Sequence, residues 1–478
     1  MEYYSNGNIL SVLAFFIWVP VTYFATWRWP PSKATAVLFL GGLLLLPELV
    51  FFKPPGLPDF AKLEIVPMWI LIWAAVFHRE RFASAPKSRW FRVCVGLLVF
   101  GSVFTVFLNT DPYSVGHRAV PGHVPYDAVH AALNALLSVA LPFYLGAVMF
   151  RGSRDLRVLL TTLVVAALLY SPLQFIEMIL SPQLHRWVYG FHQHAFLQVM
   201  RGDSYRPMVF MAHGLAVAIF TTLALIAAAA LFKTRLRILR FRAAWVMSYL
   251  WVVLILSRSL ASLLYSMAAV PLVLFTSPRV QALVAAALAG LLFVYPLLRA
   301  NDLIPVEVLQ AWAKEDYGQE RAQSMTFRFE NEARLLDRAL ERPWFGWGSY
   351  CRACVYERWS GERSPVSIRD GAWIIRFGDQ GIVGFVSSFG LLLFPLIALV
   401  RRLKYAPRAS DRRLLAGLGL MLGFSAFDLI PNGDFTRLAF VLSGALWGCL
   451  TGILQEAAEA VREKRMRAYA TGSREARW

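Results

Sequence analysis

Several arginines and one carboxylate stand where they can act together on a charged substrate. Arg206 precedes an apolar run in Ser204-Tyr-Arg-Pro207, and Arg258 sits between serines in Leu256-Ser-Arg-Ser-Leu260. Arg328 opens an amphipathic stretch that ends at Arg342. Guanidinium groups hold phosphate oxygens through paired parallel hydrogen bonds, so converging arginines suit a diphosphate. Arginine at a membrane boundary ordinarily just extends its head group to water, and for Arg206 or Arg328 alone that explanation suffices. Arg258 differs, because apolar sequence flanks it on both sides, and a cation there favours a polar cavity or an anionic ligand. Asp370 precedes a glycine shortly before an apolar run. From there a carboxylate can reach a substrate at the membrane edge. Arg328 and Asp370 are the candidate catalytic residues; Arg206, Arg258, His213 and Arg342 are the candidate substrate-binding ones. The other carboxylates, Glu48, Glu177, Asp428, Asp434, Glu330, Glu332 and Asp337, read as salt-bridge partners. His192, His194 and His213 flank Arg206 and are expected to line one cavity with it. No histidine pair has metal-ligand spacing, so no metal or other cofactor is expected.

The elements that position these residues are apolar. At 58% hydrophobic and 16% charged, the chain has too little polar surface for a soluble protein of its size. Taking roughly 17–25 residues as the length of a span, about 13 runs qualify. They begin near Ile9, Ala34, Leu63, Val93, Ala128, Val158, Pro207, Ala243, Leu260, Val280, Gly381, Leu414 and Leu438. The region around Arg258 is one broken helix or two short ones. Loops of one side carry 28 basic residues and the opposite short loops eight, which makes the basic side cytoplasmic. The N-terminus is then outside and the C-terminus inside, and an odd number of spans favours two helices around Arg258. On these boundaries, residues 1–298 hold ten spans, 299–380 form a large outward loop, 381–455 hold three more spans, and 456–478 form a basic cytoplasmic tail.

The net charge of +18 lies in short loops between apolar runs, the pattern of membrane topology, so no nucleic-acid partner is expected. The N-terminus lacks a basic region and a cleavage site, so no removable signal peptide is expected. Cys94 and Cys449 lie in apolar runs and read as small hydrophobes. Cys351 and Cys354 form a C-x-x-C in the polar segment without a second pair or a nearby histidine, which disfavours zinc. A short-range disulfide and a redox pair are the remaining alternatives.

Four elements, in order, resemble the bacterial O-antigen ligase and polymerase superfamily. They are Arg206-Pro with His213-Gly214, then Ser257-Arg258-Ser259, then Arg328 through Pro343-Trp-Phe-Gly346-Trp-Gly348, then Asp370-Gly-x9-Gly381-x-x-Gly384. The resemblance covers about Tyr205 to Gly384; before about Val158 only the hydropathy agrees. It implies a metal-independent glycosyltransferase on the outer face of the bacterial inner membrane that takes a glycan from undecaprenyl diphosphate. It further implies that Arg206 and Arg328 bind the diphosphate and stabilise it as a leaving group, where charge develops. Ligases of this kind carry a His followed by Asn, Ser or Gln where this chain has Asp370 and Gly371, so Asp370 is expected to stand in for that histidine as base.

The expected fold is an all-α integral membrane bundle of about 13 transmembrane helices under one large periplasmic loop of short helices. The expected function is polymerisation of lipid-linked repeat units into an exopolysaccharide, capsule or O-antigen, with a flippase and a chain-length regulator as partners beside the lipid bilayer. The alternatives are a ligase acting on lipid A-core, a lipid-linked glycan transporter and an inactive accessory subunit. A transporter predicts charges near the bilayer midplane with access from both faces, whereas the ionisable residues here collect at the outer ends of the runs. An inactive subunit fits the loss of the histidine but not the retention of the three arginines.

Overall fold

A computed structural model of the protein describes residues 7–54, 57–83, 85, 87–115, 118–201, 204–308, 310–311, 319–356, 367–433 and 436–470. The chain is a helix bundle. Its first part comprises α1 (Ile9–Arg28), α2 (Pro31–Leu45), α3 (Lys62–Phe77), α4 (Arg79–Ala83) and α5 (Arg89–Phe107). Next come α6 (Pro125–Ala135) and α7 (Leu141–Met149), joined by a π-helical turn at Leu136–Ala140, then α8 (Ser153–Leu180) and the short α9 (Leu184–Tyr189). The middle holds α10 (Gly214–Lys233), α11 (Ala243–Leu256), α12 (Leu260–Phe275) and α13 (Pro278–Ala300). The rest comprises α14 (Gln319–Leu340), α15 (Ala372–Arg402), α16 (Ala409–Asp428) and α17 (Thr436–Ala470). Among the described residues, three two-stranded antiparallel pairs decorate the loops.

Eight helical segments among the described residues are long and apolar enough to cross a membrane, so this is a multi-pass membrane protein in contact with a lipid bilayer. They include α1, α5, the joined α6–α7, α8, α10, α13, α15 and α17. Three shorter apolar helices, α2, α11 and α12, accompany them. In lipid only a structure that satisfies its own backbone groups survives, which is why apolar runs become helices. The bundle is centred on α10, apolar on all faces and buried along almost its whole length against α8, α11, α12 and α16. On α17, Gly444, Gly448 and Gly452 recur every fourth residue against α7 and the residues after it. A Cβ there would lie 1.9 Å from the Phe143 oxygen, 2.3 Å from that of Phe150 and 2.2 Å from that of Arg151. Lipid offers no hydrophobic drive for helix pairing, so such close contact supplies it through van der Waals packing.

Polar contacts tie the loops together at each end of the bundle. At one end Arg81 pairs with Asp155 at 2.7 Å, Arg151 donates to Gln455 at 3.1 Å, and Arg413 donates to the Lys233 carbonyl at 3.1 Å. At the other, the Asn8 amide donates to the Val188 carbonyl at 2.8 Å, and the segment after α13 packs on the loop after α5.

Several boundaries depart from the sequence expectation. The apolar run from Pro207 is not helical until Gly214. Glu177 on α8 takes the N–H groups of Met208 and Val209, and the Tyr170 hydroxyl takes that of Phe210, so these donors are already satisfied. The run expected to begin at Gly381 is helical from Ala372 and breaks at Gly381, moving the end of the polar loop back to about residue 371. That loop is dominated by the 22-residue α14 rather than by short helices alone. The basic tail from Glu456 continues α17 without interruption to Ala470. The chain does divide at Arg258, with α11 ending at Leu256 and α12 starting at Leu260.

Candidate functional site

The end of α13, the middle of α14, the start of α15 and the turn after α16 enclose a cavity of about 250 Å³. Arg328 and Asp370 both line it, the Arg328 Nε lying 3.5 Å from the Asp370 Oδ2. Each side chain is nearly half exposed, at 45% and 42%.

Helix α14 reaches this position through its amphipathic pattern. Leu335, Leu336 and Ala339 are buried on one face, leaving Arg328 free to face the cavity. Two buried polar contacts then fix its register. Arg299, at the end of α13, pairs with Glu332 at 2.6 Å and donates to the Phe329 carbonyl at 3.2 Å, while the Tyr295 hydroxyl donates to the same Glu332 oxygen at 2.9 Å. Burial raises the Glu332 carboxyl above its usual range, although its bonds to Tyr295 and Arg299 oppose the shift. The Asn331 side chain takes the Ile368 N–H at 3.1 Å, drawing the segment before Asp370 onto α14. From the other side the Ala372 N–H donates to the carbonyls of Leu429 at 3.0 Å and Asn432 at 3.2 Å, seating Gly371 over the end of α16. Asp370 is therefore held from both flanks while its carboxylate stays accessible.

The glycine-rich elements form one unit behind this cavity. Residues 343–348 lie along the break in α15. Ile382 and Val383 donate to the carbonyls of Pro343 and Trp344 at 2.7 and 3.2 Å, and Trp347 and Gly348 donate to those of Gly378 and Asp379, both at 2.9 Å. The N–H groups freed by the break are thus taken up by the strap. Gly346 and Gly381 both have positive φ, +69° and +62°, and a Cβ on either would strike the other segment's backbone within 2.6 Å.

Arg206, Arg258 and His213 line a different region. Arg206 is buried and its Nη2 donates to the Arg258 carbonyl at 3.2 Å; Arg258 itself is exposed with φ +52°. His213 caps α10, its Nδ1 accepting the Leu215 N–H at 3.0 Å, and its ring meets His194 edge-on at 4.6 Å. Arg342 lines neither region. It donates to the Leu108 carbonyl at 2.8 Å and to Asn109, pairs with Asp111 at 3.2 Å and stacks on Trp347 at 4.2 Å. Of the other carboxylates, Glu48 pairs with buried Lys62 at 2.7 Å, Asp428 takes the Asn432 amide at 2.9 Å, and Glu177 takes backbone N–H groups instead of an arginine. Asp434 falls outside the described residues. Cys351 and Cys354 are joined in a disulfide. Among the described residues, no cluster of three or more His, Cys, Asp or Glu has metal-binding geometry.

Sequence reasoning missed Tyr295 and Asn331 and treated Glu332 only as a generic ion-pair partner. Tyr295 is one polar hydroxyl near the end of an apolar run, and no spacing marks it as facing Glu332. No protein-family model matches the chain and no curated protein is similar to it. The chemistry must therefore be argued from the cavity: a cation that can hold an anionic oxygen, beside a carboxylate that can accept a proton, both reachable from one space.

Proposed function

We propose that the protein is a membrane-embedded glycosyltransferase that polymerises glycan repeat units carried on a polyprenyl diphosphate. The observation that carries this reading is the pairing of Arg328 with Asp370 on the wall of one half-open cavity. An acceptor hydroxyl attacks the anomeric carbon of the donor glycan, and Asp370 takes its proton. The bond from that carbon to the diphosphate breaks as the new glycosidic bond forms, and Arg328 holds the departing charge. Arg206, Arg258 and His213 do not line that cavity, and on this proposal they hold the donor away from the departing diphosphate. Arg342, held by Asp111 and stacked on Trp347, is assigned to the scaffold.

On this proposal about 13 helices span the inner membrane, the short apolar ones included, with the N-terminus and the cavity periplasmic and the basic loops cytoplasmic. A flippase would deliver the donor, and a chain-length regulator would act on the product. The order of the four resembling elements also favours a ligase, and one experiment separates the two. Cells lacking the protein are analysed for glycans by size and carrier. Single repeat units without long chains support a polymerase. Long chains left on the lipid carrier support a ligase instead. Unchanged surface glycan refutes both.

A further inference from the structure

A second cavity, of about 220 Å³, lies on the other side of the first half of α15. Gly371 and Ile374 face the Arg328–Asp370 space, whereas Ile375, Arg376, Asp379 and Gln380 face this one. Its remaining polar wall comes from α5, α6 and the π turn after it, from Ser349 just after the strap, and from Arg437 at the start of α17.

Among the described residues the charges around it do not cancel. Arg369 pairs with Asp379 at 2.6 Å and Arg437 with Glu64 at 2.7 Å. Arg376 joins no ion pair among the described residues; its guanidinium donates only to the Gln380 side-chain oxygen, at 3.1 Å. Arg437, Asp379 and Arg369 all act on it electrostatically, so three cations share two carboxylates. A guanidinium carries five donors in a fixed fork, and one amide oxygen leaves most of that capacity unused. Two atoms of the lining residues, Asp379 Oδ1 and Arg437 Nε, are buried with no hydrogen-bond partner among the described residues. A guanidinium with unused donors, on a wall that also carries hydroxyl and amide groups, points to a ligand that supplies both charge and hydroxyls.

The opposite wall adds an independent sign. The π-helical turn Leu136–Ala140 interrupts an otherwise regular span, and Ser138 of that turn lines the cavity with Asn134 one turn earlier. Single π turns of this kind re-aim side chains and recur at functional sites. Ser102, Thr105, Ser349 and His130 add hydroxyl and imidazole groups to the lining.

We propose that this cavity binds an acidic sugar residue, a carboxylate- or phosphate-bearing pyranose whose anionic group is held by Arg376. Asn134 and Ser138 hydrogen-bond the ring hydroxyls. The binding stands apart from the transfer reaction; placing the sugar within the growing glycan rests on the function proposed above.

The test uses the purified full-length protein in nanodiscs and titrates it with glucuronate, glucose and inorganic phosphate by calorimetry. Glucuronate binds in preference to both. Arg376→Gln weakens it at least about tenfold, the effect of losing a charge-assisted bond, and Asn134→Leu, which fills an exposed position on the cavity wall, does the same with the fold intact. Arg328→Gln leaves glucuronate binding unchanged. Equal binding of glucose, or binding that survives both cavity variants, overturns the site. Phosphate binding as tight as glucuronate overturns the sugar assignment, and loss in Arg328→Gln returns the ligand to the first cavity. Intact binding in a protein that proves to transfer no glycan leaves this site standing and removes only the proposed reaction.

Discussion

Replacing Gly381 by alanine tests whether the strap and the broken helix are one structural unit. Gly381 has φ +62° and ψ −164°, a region essentially reserved for glycine, where another residue costs about 1–3 kcal/mol. Its new Cβ would lie 2.3 Å from the Trp344 carbonyl carbon and 2.4 Å from its oxygen, atoms that cannot rotate away. The strap must move, which endangers the bonds from Ile382 to Pro343 and from Val383 to Trp344, each worth about 0.5–1.5 kcal/mol. Together these terms give a loss of about 2–6 kcal/mol. Gly290 on α13 is the control, because a Cβ there meets nothing within 4 Å. Gly290→Ala should be neutral or stabilising by up to about 1 kcal/mol through helix propensity. Denaturant unfolding in mixed micelles, followed by tryptophan fluorescence, measures both variants. A Gly381→Ala protein as stable as wild type, or two variants equally damaged, refutes the steric account.

Three further expectations follow from the contacts. Asp370→Asn should lower glycan transfer roughly 10²–10⁴-fold through loss of a general base, while stability changes by less than about 1 kcal/mol because the ion pair is half exposed; near-normal glycan yield would sink the base assignment. Glu177→Gln should cost about 1–3 kcal/mol, because one carboxylate holds the N–H groups of Met208, Val209 and Leu184; proteolysis within residues 207–213 should rise with it, and unchanged protection would deny the latch. Burial pushes the His185 imidazole down to about 4, against ~6.5 in an unfolded chain. The unfolded state therefore binds more protons between these values, so stability is complete above about pH 6.5 and falls as pH drops towards 4, by up to about 3 kcal/mol. Unfolding measured across that range should lose its slope in His185→Gln, and an equal slope in both proteins would assign it elsewhere.

How far the sequence was legible depended on whether each cause was local. The apolar runs became helices because lipid leaves the backbone no alternative, and the division at Arg258 was favoured by an odd number of spans. The run from Pro207 misled because the residue that unwinds it, Glu177, lies 31 positions earlier than Met208 and acts through the fold. Gly381 looked like the start of a span, but its role depends on Trp344 approaching from another segment. Arg376 was hidden among Arg369, Asp370 and Asp379, because only its place on α15 sets it against a cavity that Arg369 does not line.

Two arginine–carboxylate pairs line or border the first cavity, and their energetics divide the labour between them. Arg299 and Glu332 lie 2.6 Å apart at 6% and 14% exposure, and the Tyr295 hydroxyl completes the carboxylate's bonding. Removing one partner of a buried pair leaves an uncompensated charge and costs about 3–5 kcal/mol, so this pair is fixed scaffold. Arg328 and Asp370 lie 3.5 Å apart at 45% and 42% exposure, where an ion pair contributes only about 0.2–1 kcal/mol. A ligand phosphate can therefore displace Asp370 from Arg328 at little cost, freeing the carboxylate at the moment the guanidinium is engaged. In the proposed reaction, donor binding itself would prepare the base, and acceptor deprotonation would wait until a diphosphate is in place. A sequence inspection that weighs all arginines alike cannot distinguish these roles, because the distinction lies in burial, which is set by how α14 packs on α13.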